Sequence, residues 1–291
     1  MKEANKYDLT EEEFFRCLKL AEMQIFMRSK ENENPQSVFI VSQAGGGKTG
    51  LRKFVEGQKE EIFIEINPDE VAVYHKYYDE ILREFPGESH ALLQRFVQPA
   101  LDNYLRQRAV QLKNNLIQEG TFGSTEGYLE ILEYQKEHGY DIEIDILAVD
   151  RFESLLSSYE REQYFIEAGL PPRGVVPEYH DRAYYNLLKT VEEVEKRGLY
   201  NRINVFKRGS VELQPELVHT SGDGRYPSVA ECIREARSSD RKNILRNQAN
   251  YRARIQALRD RIKTQVQIDK LDRLEKEFNQ CLEQENQLQQ D

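Results

Sequence analysis

The sequence predicts an α/β fold: a mostly parallel sheet with helices on both faces, followed by a C-terminal helical, coiled-coil-like extension. Three observations predict it. Stretches of strand and helix character alternate over positions 38–206, the order that builds β-α-β units and a parallel sheet. A glycine-rich turn ending in Lys48 and Thr49 joins the first strand to a helix. Beyond position 227 the chain contains neither glycine nor proline, and apolar residues recur at helical spacing. The 291 residues therefore divide into an α/β domain, 1–227, and a helical extension, 228–291.

In chain order, Thr10 with Glu13 forms a capping box, and Phe14, Leu18, Met23 and Phe26 supply the apolar positions of an opening helix. Residues 38–41 (VFIV) suit a buried strand, 42–49 make the turn, and 50–58 continue as a helix. The β-branched and aromatic content of 61–67 (EIFIEIN) predicts the second strand. Helices are expected over 71–85 and 89–115, the third strand at 115–119 (NLIQE), and a helix at 125–138 stopped by Gly139. A strand follows at 141–149 (DIEIDILAV), then a helix at 152–167 and another near 181–197 closed by Gly198. Positions 201–206 are expected to be the last strand. In the extension, Tyr251, Ile255, Leu258 and Ile262 recur at four-three-four spacing, and Leu271, Leu274 and Phe278 continue the pattern. A long helix or an antiparallel helical hairpin with a coiled-coil-like seam would satisfy it.

Composition narrows the function. Hydrophobic residues make up 39% of the chain and aromatic residues 10%, enough for a folded core. No apolar run approaches the roughly 20 residues of a membrane span. The first residues, MKEANKYDLTEEEFF, are acidic and lack an apolar signal region. Cys17, Cys232 and Cys281 are scattered without CxxC spacing, which argues against disulfide or zinc frameworks and for a reducing cytoplasm. His75, His90, His138, His180 and His219 lie too far apart for a metal cage, and no serine has a G-x-S-x-G setting. The net charge of −10 argues against a nucleic-acid-binding surface. Between Arg234 and Lys263, however, ten basic residues accompany three acidic ones. That segment is either a solvated helix face or a patch for an acidic partner protein or nucleic acid.

The turn is Ser42-Gln43-Ala44-Gly45-Gly46-Gly47-Lys48-Thr49. It matches the phosphate-binding P-loop, G-x-x-x-x-G-K-[ST], except that Ser42 replaces the first glycine. Glycines let successive N–H groups curl around phosphates, and the helix that follows turns its positive end to the same anion. Lys48 would reach the β- and γ-phosphates of ATP or GTP, and the Thr49 hydroxyl would ligate Mg²⁺. This places the fold in the P-loop NTPase type. Asp150, after the strand residues ILAV, is one candidate for a second magnesium-binding acid. Asp69, just past the second strand, is a candidate base for an acceptor hydroxyl, with helix capping as its competing role.

From Glu11 to Gly209 the chain resembles the zeta toxin family, P-loop kinases of bacterial toxin–antitoxin systems. The resemblance rests on SQAGGGKTGLR (42–52), IEINPDEV (64–71), Glu119-Gly120-Thr121, Tyr159-Glu160-Arg161, and Arg173 ahead of Pro177, His180 and Asp181. It implies phosphorylation of UDP-N-acetylglucosamine at a sugar hydroxyl, a toxic outcome, and a small helical antitoxin as partner. It also implies roles: Lys48 on the phosphates, Thr49 on magnesium, Asp69 as base, and Arg161 and Arg173 on the transferring group. Glu119 and Thr121 would line the acceptor pocket. Two positions depart from the family: Gly123 stands where an arginine is usual, and Arg106 aligns with a substrate-binding glutamate. The alternatives are a kinase of this fold with a different acceptor, whether nucleotide, nucleic-acid end or other sugar, and a non-catalytic nucleotide-dependent interaction protein. Arg161 and Arg173 have a competing role as well, pairing with Glu160, Glu162 or Glu178 at the surface.

Overall fold

The computed structural model describes residues 4–85, 88–170, 172, 174–209 and 214–288. The elements are α1 (Glu11–Ile25), β1 (Gln36–Val41), α2 (Lys48–Glu56), β2 (Ile64–Ile66), α3 (Pro68–Ala72), α4 (Tyr78–Glu84), α5 (Ser89–Ala100) and α6 (Arg106–Gln111). They continue as β3 (Leu116–Gly120), α7 (Thr125–Glu137), β4 (Asp141–Leu147), α8 (Arg151–Glu167), α9 (Pro177–Arg197), β5 (Arg202–Arg208) and β6 (Pro215–Thr220). The C-terminal helices are α10 (Val229–Arg246), α11 (Gln248–Arg259) and α12 (Gln265–Leu288). The capping box forms as expected, with Thr10 Oγ1 accepting from Glu13 N and Glu13 accepting from Thr10 N.

Among the described residues the strands make one sheet in the order β2-β3-β1-β4-β5-β6. All neighbours are parallel except β6, which pairs antiparallel with β5. The winding reverses about β1, and in open α/β sheets ligands bind at the carboxyl ends of strands beside such a reversal. Side-chain alternation splits the core. Phe39, Val41, Ile144 and Val205 pack toward α1, α5, α7 and α9, while Val38, Ile40, Ile117 and Leu147 pack on Leu51 and Val55 of α2. Helices thus cover both faces, as parallel sheets require.

Several expected boundaries move for physical reasons. The helix expected over 71–85 is broken, because buried His75 captures the Tyr77 N–H with its Nδ1 at 3.1 Å and interrupts the ladder. The long helix over 89–115 contains a π-helical turn at Leu101–Leu105, beginning two residues after Pro99, which cannot donate a helical hydrogen bond. The second strand shortens to Ile64–Ile66, and α9 begins at Pro177, a residue suited to a first helical turn. The expectation that 201–206 is the last strand is incorrect. Edge strand β6 follows, and its residues, two exposed, three half-buried and only His219 buried, lack the alternation that would have revealed it.

The C-terminal segment is three helices rather than one rod. Of these, α11 and α12 run antiparallel, with Arg252 reaching Asn279 and Arg259 reaching Asp272. The first turns of α10 put Val229, Cys232 and Ile233 into the sheet core. Beyond it, Tyr251, Ile255, Leu258, Leu271, Leu274, Phe278 and Leu282 close on Phe152, Leu155, Leu156 and Tyr159 of α8. The apolar seam is therefore filled within the chain.

One buried acid gives a measurable signature. Asp145 lies inside β4 at 0% exposure, and burial, reinforced by Glu143, pushes its carboxyl up to about 7. Asn204 Nδ2 donates to it at 2.7 Å. A carboxyl raised by folding stabilises fully below its unfolded value of 3.8, and that contribution is lost as pH rises through about 7. Asp145→Asn keeps an acceptor for Asn204 and removes the ionisation. It should raise Tm at pH 8, by an equivalent of roughly 1–4 kcal/mol, and change it little near pH 4. Equal shifts at both pH values would count against a titrating Asp145.

Candidate active site

The turn between β1 and α2 departs from the extended path of the strand through its glycines. Gly45 and Gly47 take φ of +71° and +103°, open to glycine at little cost. At Gly46 an added Cβ would stand 2.0 Å from Ser42 Oγ. Ser42, the one departure from the motif, uses its hydroxyl: Oγ donates to the Leu147 carbonyl at the end of β4 at 2.8 Å. Gln43 Nε2 reaches the Val149 carbonyl at 2.9 Å and Ser154 Oγ at 3.1 Å, and its Oε1 accepts from Arg237 Nη2 at 3.3 Å. The turn is thus tied to both the sheet and α10.

Lys48 opens α2 and donates Nζ to the Ser42 and Gln43 carbonyls at 3.0 and 3.4 Å. Burial pushes its ammonium below the ordinary lysine value; Arg161 acts in the same direction, while Glu119 and Asp69 oppose it. Three expected site residues, Asp69, Glu119 and Arg161, therefore lie within electrostatic reach of Lys48. Glu119, at the end of β3, is raised above the usual carboxylate range by burial, against the cations Lys48 and Arg52. Arg52, one turn after Lys48, bonds to Glu65 and has Nε 3.0 Å from Glu119 Oε1. It braces the second and third strand ends against α2.

Asp69 is exposed in the first turn of α3. The capping role weighed for it belongs to Asn67, whose Oδ1 accepts from Asp69 N at 3.0 Å. Thr121 donates its N–H to Tyr128 OH at 3.2 Å, and its Oγ1 accepts from Gly123 N at 3.2 Å. Phe122, buried beside it, holds φ +52°, a left-handed conformation uncommon for a non-glycine residue. Arg161 is exposed on α8, and Arg173 lies outside the described residues.

Other candidates resolve differently. Asp150 is not available as a magnesium-binding acid: it caps α8 through Phe152 N at 2.8 Å and accepts from Arg241 Nε at 2.8 Å. Arg106 bonds to Asp102 and reaches Gln118 Oε1 at 3.3 Å. Gln118 and Glu119 point to opposite faces of β3, so Arg106 is engaged away from the Glu119 side. At Gly123 an added Cβ would lie 3.1 Å from Thr121 Oγ1 and 3.4 Å from Ala183 Cα.

The basic segment is split: Arg234, Lys242, Arg246, Arg252, Arg261 and Lys263 are exposed, while several of its arginines pair within the chain. Arg234, Arg241, Arg254, Arg259 and Arg261 pair with acids of the same chain, and Arg237 lies over the Tyr184 ring at 3.9 Å. Glu160, Glu162 and Glu178, the surface partners considered for Arg161 and Arg173, pair with Arg254, Lys270 and Arg273. Sequence reasoning missed Arg52, Arg208 and Arg237 as residues that shape the site. The only signal for Arg208 was its place at a strand's carboxyl end.

Comparisons with known proteins fit this arrangement. The sequence model of the zeta toxin family matches residues 22–219, from α1 through β6. Toxin zeta of Streptococcus pyogenes is 24% identical over 218 residues, covering 74% of this chain and 75% of its own length. Toxin PezT of Streptococcus pneumoniae is 22% identical over 202 residues, covering 69% of this chain and 79% of its own. A solved structure from the PezAT chromosomal toxin–antitoxin system of S. pneumoniae superposes with a TM-score of 0.67 at 20% identity, covering 95% of this chain and 99% of that one. With residues 22–219, more than two-thirds of its length, matched by the family's sequence model, this chain belongs to the zeta toxin family.

Proposed function

We propose that the protein is a P-loop kinase that transfers the γ-phosphoryl group of ATP or GTP to a hydroxyl of UDP-N-acetylglucosamine or a related nucleotide sugar, and that this reaction makes it a toxin. The observation that carries the reading is the set of charges around Lys48. Asp69, Glu119 and Arg161 come from three different elements, and each perturbs the lysine. Phosphoryl transfer demands mainly positioning and charge neutralisation, which such a set can supply. Family membership supports the same chemistry.

In this reading the N–H groups of the 42–49 turn and Lys48 bind the β- and γ-phosphates, while Arg161, with Arg173, gathers charge from the transferring group. Asp69 takes the proton of the acceptor hydroxyl as its oxygen attacks the γ-phosphorus. The bond from that phosphorus to the β-phosphate oxygen breaks, and the nucleoside diphosphate leaves. Glu119 and Thr121 line the acceptor side. Thr49 is exposed in the first turn of α2, and its hydroxyl is a hard donor suited to magnesium. Thr49 and the nucleotide's phosphates would be the magnesium ligands. When bound, magnesium neutralises charge on the β- and γ-oxygens.

No helix among the described residues is long and apolar enough to cross a membrane, and the proposed place of action is the cytoplasm. The S. pneumoniae neighbour comes from a toxin–antitoxin system; by analogy, a small helical antitoxin is the partner we infer. A second reading keeps the kinase and changes the acceptor. The tight surroundings of Gly123 and the engagement of Arg106 favour it, since both concern the acceptor side of the family pattern. Mass spectrometry of purified protein with Mg-ATP and a panel of acceptors separates the two. Phosphorylated UDP-N-acetylglucosamine supports the first, and a phosphorylated product from another acceptor alone supports the second. ATP binding without any phosphorylated product would sink both and leave a nucleotide-dependent interaction protein.

A further inference from the structure

Three consecutive glycines leave the phosphate-binding turn with more backbone freedom than any other part of the site. Its shape must come from contacts made by other elements. Arg208, the last residue of β5, supplies the most direct ones: Nε donates to the Gly46 carbonyl at 3.1 Å and Nη2 to the Gly45 carbonyl at 2.5 Å. These two nitrogens form one edge of the planar guanidinium, a rigid two-pronged donor. A trans peptide sets each carbonyl antiparallel to the next N–H. Holding the Gly46 oxygen therefore fixes which side of the turn the Gly47 N–H faces.

The remaining nitrogen of Arg208 is anchored too. Nη1 donates to Glu153 Oε1 at 2.8 Å and to Ser157 Oγ at 3.2 Å, both on α8. The other oxygen of Glu153 accepts from Arg254 Nη1 at 2.7 Å, and Arg254 also makes a two-point pair with Glu160 at 3.0 and 2.8 Å. Arg254 rides on α11, which Tyr251, Ile255 and Leu258 fix in the hairpin core. Cation and anion thus alternate from the C-terminal hairpin to the turn: Glu160, Arg254, Glu153, Arg208, then the two carbonyls. Such a ladder orients the Arg208 fork more tightly than Glu153 alone would.

We propose that Arg208 is a positioning residue that clamps the Gly45 and Gly46 carbonyls and holds the turn in its phosphate-receiving form, and that Arg254 of the C-terminal hairpin backs this clamp through Glu153. The inference rests on the nucleotide-binding reading above. It adds that the hairpin sets nucleotide affinity from outside the P-loop fold.

The test is calorimetric binding of magnesium and the β,γ-imido analogue of ATP to the full chain, with thermal melts of each unliganded variant. Arg208→Lys keeps the charge and loses the fork; it should weaken binding by about 10- to 100-fold, as expected for one or two charge-assisted hydrogen bonds. Arg254→Gln should weaken it by roughly three- to tenfold. The double variant should bind no worse than Arg208→Lys alone, because both act on the same contacts. Independent structural damage would instead add, and would track the loss of melting temperature. Wild-type affinity in Arg208→Lys, with Lys48→Ala binding weakly, overturns the clamp and leaves the nucleotide site standing. Wild-type affinity in both variants removes the nucleotide site itself, and additive losses remove the link to the hairpin. Should Arg208→Lys fail to fold, Glu153→Gln carries the same comparison with Arg254→Gln.

Discussion

Asp69→Asn is expected to slow phosphoryl transfer by about 10²–10⁴-fold, the usual worth of a positioned general base, while ATP affinity stays close to wild type. The fold should tolerate the change, because Asn67 and not Asp69 caps α3, and the Asp69 contact with it is made by the backbone N–H. Asparagine has nearly the same shape and cannot accept the acceptor's proton. Nucleotide binding should not suffer, since removing a negative charge near Lys48 lessens repulsion of the phosphates. The measurement is single-turnover transfer to whichever acceptor the panel identifies, beside calorimetric ATP binding. Growth arrest on induction gives a second readout that needs no knowledge of the acceptor. Transfer at the wild-type rate would remove Asp69 from the mechanism, and loss of ATP binding would reassign it to the nucleotide.

The parts of this site that were legible in the sequence are those whose determinants are local. The 42–49 turn needs a strand, glycines, Lys48 and a helix in succession, and all lie within a few residues of one another. Asp69 stood out because it follows a strand, and Glu119, near the end of another, only through the family resemblance; parallel strands of one sheet end on the same side. What stayed hidden depends on contacts across long sequence separations. Ser42 looked like a defect in the motif until its hydroxyl was seen to anchor on the Leu147 carbonyl. Arg208 touches the turn from more than 150 residues away. The tail's periodicity was plain, but it could not say that the seam would close on Phe152 and Tyr159 of α8. The pairing within the basic segment was hidden for the same reason: its arginines were counted against their sequence neighbours, whereas counter-charges such as Glu153, Glu160 and Glu167 sit on α8. Edge strand β6 lay beyond reach because only one of its six residues is buried, which leaves no apolar alternation to read.

Lys48→Ala is the other change with a large expected effect: loss of transfer by at least about 10²–10³-fold, loss of growth arrest, and loss of the stabilisation that ATP gives the folded protein. The last follows from linkage. A ligand that binds only the native state raises Tm with its concentration, and the variant should show little of that rise. Its own melting temperature without nucleotide should nevertheless stay near wild type. The reason lies in the sign of the Lys48 shift. A lysine whose folded pKa is depressed by burial holds its proton less tightly folded than unfolded, so at neutral pH its charge costs stability that returns only as pH rises toward the unfolded value. Alanine removes that cost together with two hydrogen bonds to backbone carbonyls, and the two changes oppose each other. A residue kept at the expense of the empty protein's stability is suited to a ligand that supplies the missing negative charge. If Lys48→Ala melts like wild type, gains as much from ATP, and still arrests growth, both the phosphate-binding turn and the kinase reading built on it are wrong.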